Sequence, residues 1–215
     1  MRTKANSKDL KTAYLMDKDI LGKGSFGTVY KATNRGNHDM KIAIKAIDKK
    51  RLSIEEIDDI HKEVKLLQQV DHSNIINYFE TYEDDRFVYL CMELCTGGEL
   101  IDQCKAAKQF SEEQAAEIFL KLLGALNYIH GQGIIHRDIK PENIMFDKQD
   151  GTIKFIDFGL ACQMGGGCEN ELAGTPYYIA PEVIIEEYGK ECDVWSLGVV
   201  LYFMMSGKLP FVANN

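Results

Sequence analysis

Hydrophobic and polar positions alternate with a period of two in the first part of the chain and recur with a helical period further on, which predicts strands first and helices later. Residues 14–20 and 28–32 read as two strands around a glycine-rich turn. Residues 41–47 alternate strictly, which puts Ala43 and Lys45 on one face. Ser53-Ile54-Glu55-Glu56 is a capping box that opens a helix whose apolar stripe is Ile57, Ile60, Val64 and Leu67. Glu63 falls on that inward stripe, where a carboxylate is costly unless paired, and Lys45 is its natural partner. Residues 87–92 form another strand running into the flexible joint Thr96-Gly97-Gly98. A second cap, Ser111 to Gln114, opens a helix with the stripe Ala115, Ile118, Phe119, Leu122, Leu123, Leu126 and Ile129, ending near Gly131 and Gly133. Two strands near 144–146 and 153–156 turn at Asp150-Gly151. Residues 193–206 predict a helix apolar on all sides, and its run 194–205 is too short to span a bilayer.

The candidate chemistry lies in the loops joining these elements. Gly22-Lys23-Gly24-Ser25-Phe26-Gly27 permits a tight turn whose backbone N–H groups can approach phosphate closely. A strand follows it, where a dinucleotide-binding fingerprint needs a helix, and no Lys-Ser/Thr pair follows Gly27 as in a P-loop. The octet His136-Arg137-Asp138-Ile139-Lys140-Pro141-Glu142-Asn143 sits between two apolar segments, as suits a catalytic platform. Asp157-Phe158-Gly159 follows the second strand of the hairpin, and residues 174–182 read Gly-Thr-Pro-Tyr-Tyr-Ile-Ala-Pro-Glu. Between Gly159 and Gly174 there is no Ser, Thr or Tyr, so that loop has no phosphate acceptor. Glu169 and Glu171 are the acidic residues that loop offers.

Composition narrows the classes. A chain of 215 residues with 45% hydrophobic and 27% charged residues is globular. Its formal charge of −8 argues against nucleic acid and favours attraction of basic peptides. Cysteines 91, 95, 104, 162, 168 and 192 form no CxxC pair or zinc spacing and are expected to be reduced, intracellular thiols, which predicts a cytoplasmic location. Residues 1–11 are polar and basic, unlike a signal peptide, and Arg2 excludes the myristoylation motif. The expected organisation is a mobile tail over 1–13, a small lobe over 14–94 and a large lobe over 95–215.

The order of these motifs resembles the eukaryotic protein-kinase family, serine/threonine type, over about residues 14–211. Lys140, two after Asp138, and the stretch 174–182 carry the serine/threonine resemblance. Leu90-Cys91-Met92-Glu93-Leu94-Cys95-Thr96-Gly97-Gly98-Glu99-Leu100 is similar to the calcium/calmodulin-regulated and calcium-dependent group. The resemblance implies an α+β, two-lobed fold, with a small antiparallel-sheet lobe carrying one main helix and a mainly helical lobe. It implies ATP and Mg²⁺ as cofactors and protein or peptide substrates. Gly22, Gly24 and Gly27 would cover the phosphates. Lys45, oriented by Glu63, would hold two of them. Asp157 and Asn143 would bind metal, Asp138 would take the substrate hydroxyl proton, and Lys140 would steady the transferred phosphoryl group. Leu21, Val29, Ala43 and Met145 would enclose the adenine. Met92 would guard its pocket, and the Glu93 and Cys95 backbones would meet its edge. Glu99 would complete the nucleotide-side set and, with Glu142, read an arginine two or three residues upstream of the phosphorylated Ser or Thr. A calcium-sensing segment outside this chain would regulate it. The family carries further helices after the one with Trp195, one of which supplies a partner for Glu182, so these 215 residues are expected to be a fragment. The competing reading is a nucleotide-binding, pseudokinase-like scaffold or inactive fragment. A small-molecule kinase is disfavoured by the stretch 174–182.

Overall fold

The computed structural model describes residues 9–24 and 27–212; residues 1–8 of the expected tail, the turn residues Ser25 and Phe26, and residues 213–215 lie outside it. The chain forms two compact units. The first comprises Met1–Gln69 and Ile76–Cys95, and the second Val70–Ile75 and Thr96–Asn215.

The first unit is built on a five-stranded antiparallel sheet of β1 (Tyr14–Lys23), β2 (Thr28–Asn34), β3 (Lys41–Asp48), β4 (Tyr78–Glu83) and β5 (Phe87–Glu93), in the order β1-β2-β3-β5-β4. The strict alternation of β3 explains its central place. Ile42 and Ile44 go to one face, where they pack with Tyr14, Ala32, Tyr82 and Cys91. Ala43 and Lys45 go to the other. Residues 10–13, expected as part of a mobile tail, instead form a helical turn, α1 (Leu10–Ala13). Asp9 caps it by accepting from the Lys11 N–H, and Leu10 is buried in that same cluster. An apolar Leu four residues before the buried Tyr14 gives the segment a reason to dock. The helix α2 (Ile54–Leu67) opens with the full reciprocal box: Glu56 N–H donates to Ser53 Oγ at 3.2 Å and Ser53 N–H to Glu56 Oε2 at 2.7 Å.

Residues 70–75, expected within the small lobe, belong to the second unit. Asn74 Nδ2 donates to Ile153 O at 2.7 Å, Ile75 bridges to Phe155, and Asp71 N–H donates to Tyr128 Oη at 3.0 Å. That unit is mainly helical, with α3 (Leu100–Ala107), α4 (Glu112–Gly131), α5 (Pro181–Ile184) and α6 (Glu191–Ser206). Two small sheets carry its loops. One is β6 (Gly98–Glu99), β8 (Ile144–Phe146) and β9 (Ile153–Phe155), in the order β6-β8-β9. The other pairs β7 (Ile134–Ile135) with β10 (Cys162–Gln163). On α4 the inward positions are Ala115, Leu122, Ala125, Leu126 and Ile129, whereas Leu123 is exposed. The helix α6 begins two residues earlier than the pattern predicts. It buries Leu197, Val199, Val200 and Met204, and leaves Val194 and Tyr202 exposed. No helix among the described residues is long and apolar enough to cross a membrane.

Candidate active site

In the first unit, strand register assembles one face. Across β2 and β3, Val29 is opposite Lys45; across β3 and β5, Ala43 is opposite Met92 and Lys45 opposite Leu90. Directly paired residues share a face, so Val29, Ala43, Met92 and Lys45 lie together on the side away from the Ile42–Ile44 cluster. Lys45 Nζ meets Glu63 Oε1 at 3.2 Å, with side chains only 14% and 7% exposed. The helix stripe thus delivers the Glu63 carboxylate to the Lys45 ammonium of that strand face. The β1–β2 hairpin pairs Gly22 with Val29 and Lys23 with Thr28, and Gly24 N–H donates to Gly27 O at 2.9 Å. A side chain at Gly27 would sit 2.5 Å from Ala46 O, so only glycine fits there. Leu21 is exposed on β1. Glu93 N–H donates to Asn77 O at 2.9 Å, and Cys95 is buried.

In the second unit, β7 delivers the chain to His136 and a 3-10 turn, Pro141–Asn143, carries it into β8. The Asp138 carboxylate is held from three sides. Thr175 Oγ1 donates to Oδ1 at 2.6 Å, while Asn143 Nδ2 and Lys140 Nζ each lie 2.8 Å from Oδ2. Lys140 Nζ also donates to Thr175 Oγ1 at 2.8 Å. Ile156 N–H donates to Asn143 O at 3.0 Å, which ties the residue before Asp157 to the same turn, and the Asp157 carboxylate accepts the Gly159 N–H at 3.0 Å. Because Asn143 spends its amide nitrogen on Asp138, its Oδ1 stands outside these bonds. That oxygen and the Asp157 carboxylate are the hard oxygen ligands that suit Mg²⁺, an ion usually held by few protein oxygens plus phosphate and water. No group of three or more His, Cys, Asp or Glu side chains that could hold a metal ion exists among the described residues.

The loop 136–143 is anchored by a group that sequence reasoning missed. Asp193, fully buried at the start of α6, accepts the N–H groups of His136 and Arg137, each at 2.8 Å, and meets His130 Nε2 at 2.8 Å. Those two N–H bonds fix Arg137 in a left-handed backbone conformation, φ 66°, which only an over-determined loop sustains. The signal was a pair of acids, Glu191 and Asp193, at the head of an otherwise apolar helix, of which only Asp193 is buried. Arg137 sends Nε to Leu160 O at 2.7 Å and Nη1 to Cys168 O at 2.9 Å and Glu171 Oε2 at 3.2 Å. Glu171 is therefore the anion that meets Arg137. Glu169 instead accepts the Gly165 and Gly167 N–H groups, which hold its carboxyl below the usual range. Gly174, φ 114°, leaves no room for a side chain beside Arg137 O and so sets Thr175 against Asp138.

Met145 lies on β8 opposite Glu99 on β6. Burial, then the nearby Asp102 and Glu142, raise the Glu99 carboxyl, so Glu99 and Glu142 share one negative region. The expectation of six reduced thiols is corrected: Cys162 and Cys168 are joined by a disulfide, while Cys91, Cys95, Cys104 and Cys192 are buried thiols. Two cysteines six residues apart around a glycine triplet can fold back on each other, which spacing alone did not reveal.

A protein kinase domain family model matches residues 15–215. The chain is 45% identical to "Calcium-dependent protein kinase 5" of Plasmodium berghei (strain Anka), over 98% of this chain and 37% of that protein. It is 41% identical to "Calcium/calmodulin-dependent protein kinase type 1" of Caenorhabditis elegans, over 90% of this chain and 56% of that protein. It is also 41% identical to "Calcium-dependent protein kinase 14" of Arabidopsis thaliana, over 96% and 40%. The chain thus spans less than two thirds of the length of each of these relatives.

Proposed function

This chain belongs to the protein kinase family, and on that premise we propose that it transfers the γ-phosphoryl group of ATP to serine or threonine hydroxyls of protein substrates. The observation that supports this most is the Asp138 carboxylate held by Lys140 and Asn143 of its own loop and by Thr175 of the later stretch 174–182. A carboxylate so oriented accepts a hydroxyl proton and aims the oxygen, and Lys140 beside it balances the charge that moves with the phosphoryl group. Lys45, its ammonium fixed by Glu63, would bind the α- and β-phosphates, with Gly22, Gly24 and Gly27 covering them. Asp157 and Asn143 would hold Mg²⁺, which neutralises phosphate charge when bound. Leu21, Val29, Ala43 and Met92 of the first unit would offer the adenine an apolar face. With the Glu93 N–H committed to Asn77, an adenine edge meeting Glu93 would meet its carbonyl, and Cys95 would contribute its backbone.

Glu99 and Glu142 would read a substrate arginine two or three residues before the acceptor. Burial, then Asp102 and Glu142, raise Glu99, and a guanidinium taken between Glu99 and Glu142 would offset that negative charge. The relatives' names carry calcium dependence, so calcium would act through a segment of the protein outside these residues. We keep the cytoplasm as the proposed location, where a disulfide would be a reversible link rather than a permanent one.

The test is transfer of labelled phosphate to a serine peptide, with and without upstream arginine, by the native chain and Asp138→Asn. The expected result is arginine-dependent transfer that falls by about 10²–10⁴-fold in the variant. Nucleotide binding with no transfer by either protein would support the scaffold reading instead.

A further inference from the structure

We infer that Cys162 and Cys168 form a reversible redox modification site whose closure orders the segment after Asp157-Phe158-Gly159 for turnover. The effect on turnover rests on the kinase reading above; the chemistry of the bond does not.

Three observations converge on this pair. First, the bond closes a loop across Gly165-Gly166-Gly167, in which Gly165 and Gly167 adopt φ of 76° and 89°. Such a glycine run is the most freely rotating kind of chain when open, and a covalent tether removes that freedom from the disordered state. Second, both ends of the bond are fastened to the catalytic loop. Cys162 pairs with Ile135, the residue before His136. Cys168 O accepts from Arg137 Nη1 at 2.9 Å and from Tyr188 Oη at 2.7 Å. The disulfide therefore joins β10, the partner of the strand that leads into Asp138, to the turn that the loop arginine holds. Third, residues 160–173 carry no hydroxyl that a phosphate could use to order them. The anion present, Glu171, meets Arg137 with a side chain 65% exposed, and an ion pair that exposed holds a loop weakly.

The other thiols are poor competitors. Burial raises Cys91 and Cys192 to about 12 and Cys104 to about 11, so they stay protonated and unreactive. Cys95 is also buried, whereas Cys162 is half-buried and within reach of a small reductant. The exchange partner is a glutathione-class thiol and its disulfide. A thiolate attacks Sγ of Cys162, the Cys162–Cys168 bond breaks, and Cys168 leaves as a thiolate that takes a proton. A second small thiolate attacks the mixed disulfide, releasing Cys162 and the small-molecule disulfide. Two electrons and two protons pass to the protein, and the reverse sequence restores the bond.

The experiment equilibrates the full protein across glutathione buffers of graded poise. Alkylation and peptide mass report the bond, backbone hydrogen exchange over 160–173 reports order, and peptide phosphorylation reports turnover. The expected result is a single reversible disulfide between Cys162 and Cys168, slower exchange in the oxidised form, and several-fold higher turnover with it. Cys162→Ser and Cys168→Ser should each lose the redox response and sit near the reduced level. Absence of the bond in every buffer, exchange that ignores it, or a redox response retained in Cys162→Ser would overturn the proposal. A bond and an exchange change as expected, without phosphorylation in any buffer, would support the redox site and refute the kinase reading alone.

Discussion

His136 is the residue whose environment has the plainest consequence for solution behaviour. Its ring is fully buried, 5.4 Å from Phe155 and 4.9 Å from Phe158 between centroids. Its Nδ1 accepts the Asp138 N–H at 3.3 Å, and its buried Nε2 has no hydrogen-bond partner among the described residues. Burial lowers its pKa, and the carboxylates of Asp193, Asp138 and Asp157 only partly oppose that. The folded state therefore keeps the ring neutral where the unfolded chain binds a proton. Stability from this residue is complete above the unfolded value of about 6.5 and is lost as pH falls through it toward the lower folded value. Thermal melts from about pH 7.5 to about pH 5.5 should drop more steeply for the native chain than for His136→Phe, whose absolute stability is lower; parallel slopes would show that the ring titrates alike in both states. At this scale, the meeting of Asp138 with Lys140 and Asn143 was legible because the three lie in one short stretch of sequence. Asp193 and the Cys162–Cys168 bond were not, because each gains its meaning from a backbone return: Asp193 acts 57 residues away at His136, and the two cysteines meet only once the glycine triplet turns.

Elements were legible where a cap and a period agreed. Ser53 with Glu56 and Ser111 with Gln114 both close reciprocal boxes, so both long helices start where their sequences say. The stripe on α4 was misread at Leu123 because small Ala125 fills the inward position between Leu122 and Ile129. The short α3 and the strand β4, whose burial alternation is broken by polar residues at Glu80 and Thr81, gave no comparable signal. The box and the ion pair on α2 can be separated by mutation. Ser53→Ala should cost about 1 kcal/mol of stability in urea unfolding and leave the KM for ATP unchanged. Glu63→Ala removes the carboxylate that meets the mostly buried Lys45 ammonium, should destabilise the chain more than Ser53→Ala does, and should raise the KM for ATP as Lys45 loses that contact. Equal effects of both on KM would mean that helix position, not the Lys45–Glu63 pair, governs nucleotide binding.

For the whole molecule, the formal charge of −8 acts with the local crowding of Glu99, Asp102 and Glu142. The order of motifs made the fold family legible, yet the reassignment of residues 70–75 was hidden, because it depends on Asn74 finding Ile153 O, 79 residues on. Charge was legible from composition, but only the second unit's fold shows Glu99 and Glu142 as neighbours rather than separate solvated residues. A field of this kind attracts basic peptides over distances comparable to the Debye length, about 10 Å at 0.1 M salt and shorter above it. The KM for an arginine-bearing peptide should therefore rise several-fold between about 0.05 M and about 0.5 M salt while kcat holds, because screening weakens encounter and binding but not the step at Asp138. Glu142→Gln, which removes one of the two carboxylates, should raise the KM at low salt and flatten its salt dependence. An arginine-free peptide should show neither effect. A salt slope shared equally by both peptides would place the screening at the ATP phosphates and remove the carboxylate pair from substrate recognition.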